Sequence, residues 1–294
     1  MTPSHTLAGS RSRSETAVAG VGGLPRRWVP ATALIGLLLA VAAGSGLLLD
    51  PYGGETDFAR NAFRGTDLVS LFVVLPLLAG AAWALRRGST RGHLLWLGAL
   101  GYVAYQYAYV FAYSWNCLFL VYVALLSLAG FTLAAALIRT DPAGVAARFD
   151  DATPIRAAAR FLTAVGVGLA VIELGQIVPT IFTGDVPKVV LDTGHPTSPV
   201  YVLDLGLVVP LLLLTAHWLR HRRPWGYVAA AIMLVKGATV GLSLLAANLV
   251  GVVAGGTTDG PLNVLWAAIA GGSAFVLVRF LRHLHDSEPE RRPG

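Results

Sequence analysis

Charged residues are scarce in this chain. They fill 13% of its 294 positions, about half the ~25% usual for soluble domains, which excludes an ordinary solvated surface. The single cysteine, Cys117, excludes an intramolecular disulfide and any CxxC redox pair. Lysine is nearly absent: Lys188 and Lys236 are the only two, and the other basic residues are arginines. With so much alanine, glycine and valine, this is the composition expected of a GC-rich bacterial genome. No phosphate loop, HExxH or nucleophile elbow occurs, and no stretch is left for a sizeable soluble catalytic domain. The net charge of +6 is not a nucleic-acid footprint, because the basic residues lie in short loops between apolar runs.

Those apolar runs are what the sequence has in abundance. Eight reach the roughly 17–25 residues needed to cross a bilayer: Val29–Leu49, Leu68–Leu85, His93–Tyr113, Cys117–Ile138, Phe161–Phe182, Pro199–Leu219, Gly226–Ala247 and Leu262–Phe280. Lipid gives the backbone no water to bond, so each is expected to be a helix. Continuous apolar runs also argue against barrel strands, which alternate. The expected fold class is an all-α integral membrane protein with eight transmembrane helices.

Basic residues set the orientation. Eighteen fall in the N-terminal tail, the second, fourth and sixth loops and the C-terminal end, and only Arg60, Arg64 and Lys188 fall in the other four loops. The positive-inside rule then places both termini in the cytoplasm of a plasma membrane. Arg26-Arg27 followed by an apolar run and AVAAGSG also resembles a signal peptide, but the long charged tail and the spanning length of the run favour an anchored helix. The expected organisation is a disordered tail over 1–25, helices one to four over 26–138, a cytoplasmic linker over 139–160, helices five to eight over 161–282 and a tail over 283–294.

An internal similarity divides the chain in the same way. VLPLLAGAAWALRRGSTRG from Val74 aligns without a gap on VPLLLLTAHWLRHRRPWG at an offset of 134: Pro76 falls on Pro210, Arg86 on Arg220 and Gly92 on Gly226. Asp67 and Asp204 also open the paired helices, with a three-residue shift. Two tandem four-helix halves would be related by an axis along the membrane normal, with Lys236 corresponding to Tyr102.

The chemistry, where there is any, lies in the polar residues inside these runs. Lys236 sits mid-run, costing about 2.5 kcal/mol or more in lipid unless it faces a partner or a wet interior. Thr239 and Ser243 share its face, and Gly237 and Gly241 form a GxxxG pair that permits close helix approach. Helix three carries Tyr102, Tyr105, Gln106 and Tyr109 on one broad face, helix five carries Glu173 and Gln176, and helix six carries Asp204. Depth pairs Lys236 first with Glu173, with Asp204 as the alternative.

Three functions fit such a set. The leading one is a cavity open to the outside, lined by these residues, that binds or passes a small solute or a proton. The second is a membrane-embedded enzyme acting on a lipid or quinone-like substrate, with Lys236 and Glu173 as acid and base. The third is a structural or assembly subunit in which an ion pair fixes packing. The lipid bilayer is the one partner the composition demands; no cofactor or metal is expected. Asp192-Thr193-Gly194 resembles the catalytic triplet of aspartic proteases, but it occurs once, in a loop, where an ordinary turn is expected. His217, His221, His283 and His285 lie among arginines that would repel a metal. Lys236 resembles the retinal-binding lysine of rhodopsins in that one residue only. The extra helix, the lack of an acid in helix three and Ile232 four residues before the lysine all speak against that family.

Overall fold

The apolar runs form helices, and eight are long. In the computed structural model, which describes residues 28–257 and 260–286, they are α1 (Trp28–Leu48), α2 (Asp57–Arg86), α3 (Thr90–Tyr113), α4 (Phe119–Arg139), α5 (Ile155–Thr183), α6 (Pro199–Arg220), α7 (Pro224–Val253) and α8 (Gly260–Arg282). The expected disordered tail over 1–25 lies outside the described residues, as does most of the C-terminal tail. Seven of the eight are long and apolar enough to cross a membrane; α3, with its tyrosines and Gln106, is long enough but more polar. The chain is an all-α membrane protein. Among the described residues the only β pairing is one antiparallel bridge, Phe149 with Leu284.

Two helices extend well beyond their apolar runs. α2 starts at Asp57, eleven residues ahead of the expected Leu68, with Thr56 as its N-cap. The extension is strongly amphipathic: Ala59, Phe63 and Thr66 are buried while Asp57 stays in solvent. α7 is extended in the same sense, to Val253 instead of Ala247, and the two extensions pack together. A Cβ on Gly65 would lie 2.2 Å from the Ala247 backbone nitrogen, so only glycine admits this approach. The linker over 139–160 holds a short helix, Pro142–Ala147, that packs on α7. The loop after α5 holds another, Lys188–Thr193, and Asp192-Thr193-Gly194 is its C-terminus, with Gly194 in the left-handed conformation at φ 71°. That is the turn expected of it.

α2 and α6 share an irregularity with a common cause. Each is interrupted by one π-helical turn, Ser70–Val74 in α2 and Asp204–Val208 in α6. In both, the residue after the turn donates five positions back, Leu75 to the Ser70 carbonyl and Val209 to the Asp204 carbonyl. Pro76 and Pro210 follow immediately. A proline has no N–H to give and its ring presses on the carbonyl four residues earlier, and widening one turn relieves both problems. Ser70 and Asp204, which open the widened turns, are both buried.

These turns are 134 residues apart at both ends, and so are the helix ends that follow, Arg86 and Arg220, and the starts of the next helices, Thr90 and Pro224. Gly92 packs against Ala84 and Leu85 as Gly226 packs against Trp218 and Leu219. α1 packs on α2 and α4, and α5 packs on α6 and α8. Where α3 crosses α7, an added Cβ on Gly98 would meet Val235 at 2.6 Å and one on Gly101 would meet Ile232 at 3.3 Å. At the same offset Gly98 corresponds to Ile232 and Gly101 to Val235. The second contact is therefore the first with the two helices exchanged, as a two-fold axis through the crossing would produce.

α7 is the central helix. It packs against α2, α3, α6 and α8, and its glycines set the spacing. Gly237 and Gly241 face Ser273 and Ala270 of α8, so the GxxxG pair does serve close helix approach.

Candidate functional site

The polar residues inside the bundle fall into two groups. The first is built around Asp204, which the π turn of α6 directs inward. Its Oδ1 accepts a hydrogen bond of 2.6 Å from the Tyr105 hydroxyl on α3. The Lys236 ammonium of α7 lies 4.0 Å from the same oxygen. It also sits over the Tyr105 ring, 3.6 Å from its centre, close enough for a cation–π attraction. Lys236 and Asp204 side chains are 12% and 10% exposed, so both charges are largely withdrawn from solvent. Glu173 of α5, 4% exposed, completes the group. Its helix packs against the π turn that bears Asp204 and against α7, which bears Lys236. Its Oε2 is buried and has no hydrogen-bond partner.

Lys236 is thus largely withdrawn from solvent and paired, but its ion-pair partner is Asp204 and not Glu173. The helical rise of ~1.5 Å per residue explains why. Lys236 lies twelve residues from the start of α7, and Asp204 sixteen from the end of α6, the two helix ends that the short 221–223 connection joins. The difference of roughly 6 Å is the reach of an extended lysine stem.

The second group lies between α2, α3 and α7. The Tyr102 hydroxyl is fully buried, 3.1 Å from Ser70 Oγ and 3.2 Å from Ser243 Oγ. Gln106 donates to Thr66 Oγ1 at 3.5 Å. Asp67, one turn before the π segment, accepts from the Tyr52 hydroxyl at 2.8 Å. A Cβ on Gly46 would lie 1.9 Å from Asp67 Oδ2, so α1 leaves room for this carboxyl only through a glycine.

The broad tyrosine face of α3 is therefore divided. Tyr105 turns to Asp204 and Lys236, while Tyr102 and Gln106 turn to α2. Tyr109 packs its ring on Phe63 of the α2 extension. Gln176 does not join Glu173: it is exposed, donates to the Ile172 carbonyl, and accepts from the Tyr201 hydroxyl at 3.1 Å. Three residues along a helix turn the side chain by about 300°, enough to take it to the rim. Thr239 is buried but donates to carbonyls of its own helix, those of Val235 and Lys236. The nine expected site residues fall into separate groups of contacts. Tyr105, Glu173, Asp204 and Lys236 form one cluster, and Tyr102 and Gln106 belong to another.

Asp67, Tyr52, Ser70 and Thr66 were not among the expected site residues. Asp67 carried a signal, since it opens the helix paired with that of Asp204, but the polar stretch around it reads as loop. At the offset of 134, Ser70 and Tyr102 stand where Asp204 and Lys236 stand. The same two positions meet in both halves, as a neutral hydrogen bond in one and as an ion pair in the other.

The histidines make no common site. His217 and His221 stack on each other along α6, with ring centres 4.5 Å apart. His283 and His285 flank Asp150, at 3.0 Å and 3.3 Å.

Comparison of the chain with protein-family models, curated proteins and solved structures returned no match.

Proposed function

We propose that this chain is a plasma-membrane protein of a bacterium with eight spans, made of two tandem four-helix halves with both termini in the cytoplasm. Its Tyr105–Glu173–Asp204–Lys236 cluster binds and passes a small solute or a proton reached from outside. The topology rests on the arginine alternation together with which loops meet. Thr90 and Arg91 after α2, Arg148 and Asp150 after α4, and residues 281–286 beyond α8 all bond to one another. These are the arginine-rich connections. On the opposite end, Thr56 and Glu55 before α2 bond Asp192 and His195 before α6.

The observation that carries the functional reading is the charge count inside the bundle. Packing would be served by one ion pair, or by a neutral pair such as Ser70–Tyr102. The cluster holds two carboxyls, an ammonium and a phenol on four different helices. A buried carboxylate beyond charge balance is costly, and intramembrane ionisable residues mark ion or substrate paths.

The test is chemical access from outside. Single cysteines replacing Tyr105, Asp204 or Thr239 in a Cys117→Ser background are expected to react with an impermeant thiol reagent added outside intact cells, and a cysteine at Gly130 is not. If all three stay unreactive while a loop cysteine at Gly184 labels, the site is a sealed packing device and the reading fails.

A further inference from the structure

We propose that the gap between α1 and α2, on the arginine-rich face of the bundle, holds one acyl chain of an anionic phospholipid, with the lipid phosphate on Arg86. This site shares no residue with the Tyr105–Glu173–Asp204–Lys236 cluster and does not depend on how that cluster is read.

The gap has a volume of about 320 Å³, and in it Val29, Ala33 and Gly36 of α1 face Leu75, Ala79 and Ala82 of α2. On each helix these residues recur at spacings of four and three, so each set forms one face. Small residues on facing helices ordinarily let the backbones touch. They do so at Gly65 and Gly98, where an added Cβ would meet its neighbour at 2.2 and 2.6 Å. Between α1 and α2 they do not: a Cβ on Gly36 would meet only Leu75 Cδ1, at 3.5 Å. Here the small side chains leave space. The second half shows what closing it takes. At the offset of 134, Thr32 of the gap corresponds to Gly166 and Ala79 to Leu213. A Cβ on Gly166 would meet the Leu213 side chain at 3.3 Å, so a leucine fills between α5 and α6 the room that Ala79 leaves between α1 and α2.

The occupant follows from the walls and the rim. Ala33 and Ala79 are exposed, so the gap opens sideways on lipid, and its walls suit a hydrocarbon chain. Leu75 and Arg86 are eleven residues apart, about 16 Å of helix, close to the ~15 Å hydrocarbon depth of one leaflet. Arg86 is the only charged residue lining the gap. It is exposed, and among the described residues no carboxylate pairs with it. Arg87 lies 3.8 Å over the ring of Trp83, which also lines the gap. Arg139 lies 5.6 Å over the Trp28 ring at the start of α1. Three guanidinium groups around one apolar slot complement a headgroup of net negative charge. A zwitterionic headgroup brings its own cation and gains less.

The experiment reconstitutes the full-length protein in vesicles of equal parts phosphatidylglycerol and phosphatidylethanolamine with identical chains, and reads retained lipid by native mass spectrometry. The unaltered chain is expected to keep one phosphatidylglycerol in preference to phosphatidylethanolamine. Arg86→Gln should lower that preference about fivefold, one arginine's attraction to an anionic headgroup, while Arg156→Gln leaves it unchanged. Ala79→Leu, which copies Leu213, should expel the chain and with it the retained lipid. Ala33→Leu plugs the gap from the other wall and replaces Ala79→Leu if that variant fails to fold. Equal retention of the two lipids by the unaltered chain overturns the proposal, as does phosphatidylglycerol still held by a folded leucine variant. So does a dimer that the leucine variants dissociate, because a second copy would then fill the gap.

Discussion

Tyr105 hands its phenolic hydrogen to Asp204 across 2.6 Å, joining a helix of the first half to one of the second. Its ring meanwhile lies under the Lys236 ammonium. One side chain thus serves both charges of a buried pair, the hydroxyl holding the anion and the π face holding the cation.

Tyr105→Phe separates these roles. The ring and its cation–π contact remain, and Asp204 loses the phenolic donor. The expected loss is about 1–3 kcal/mol of stability, read by thermal unfolding in detergent. An unchanged midpoint would mean that the 2.6 Å contact contributes nothing.

The two halves supply their own control. Lys236→Met alone leaves the buried Asp204 carboxylate without its cation and is expected to cost roughly 3–5 kcal/mol. The double change Asp204→Ser with Lys236→Tyr repeats the Ser70–Tyr102 pair and is expected to recover most of that stability. It should also abolish any activity of the site. A double variant as unstable as the sum of its singles would show that the halves are not equivalent in packing.

At the α3–α7 crossing, Gly98→Ala puts a methyl 2.6 Å from the Val235 Cβ. Overpacking of this kind costs about 1–3 kcal/mol, and Val235→Ala in the same chain should restore the fold. Gly101→Ala, with 3.3 Å to the Ile232 side chain, is expected to be the milder change. The prediction fails if the two alanines are equally damaging.

The strap between the α4–α5 connection and the end of α8 is sensitive to acid. Partial burial raises the Asp150 pKa, but hydrogen bonds from His283 and His285 outweigh it, so the carboxyl is held below its ordinary 3.8. A carboxyl lowered on folding stabilises the folded state above its unfolded pKa. That contribution is lost as pH falls from near 3.8 through the folded value. Asp286, Arg148 and Arg91 lie on the same surface. Hydrogen exchange at residues 283–286 is expected to accelerate on acidification through this range, and Asp150→Asn should make it fast throughout. Equal protection in both proteins would remove Asp150 from the strap.

Much of this was legible in the sequence, because apolar runs of spanning length have one structural outcome in lipid. Pro76 and Pro210 were visible as an aligned pair, yet the widened turns they cause were not. A π turn depends on whether the neighbouring helices accept an inward-turned residue, and composition does not encode that. The start of α2 was hidden for another reason: Arg60, Asn61 and Arg64 read as loop, and only the late extension of α7 gives that stretch a surface to bury against. Lys236 announced itself as costly, and its burial followed. Its choice of Asp204 over Glu173 depended on the side-chain reach between helices that run in opposite directions, which counting residues from one end misjudges. Asp67 was missed because its partner, Tyr52, sits in a connection and not in a span.

Because α7 packs against both α2 and α3, the ribosome delivers the bundle in an inconvenient order. Gly65 and Gly98 enter the bilayer long before Ala247 and Val235 exist to cover them. The early helices must therefore wait, shielded by lipid or by the insertion machinery, with Asp67 and Tyr102 already below the surface. A truncation after α4 would leave the Gly65 and Gly98 surfaces uncovered, because both are covered by α7.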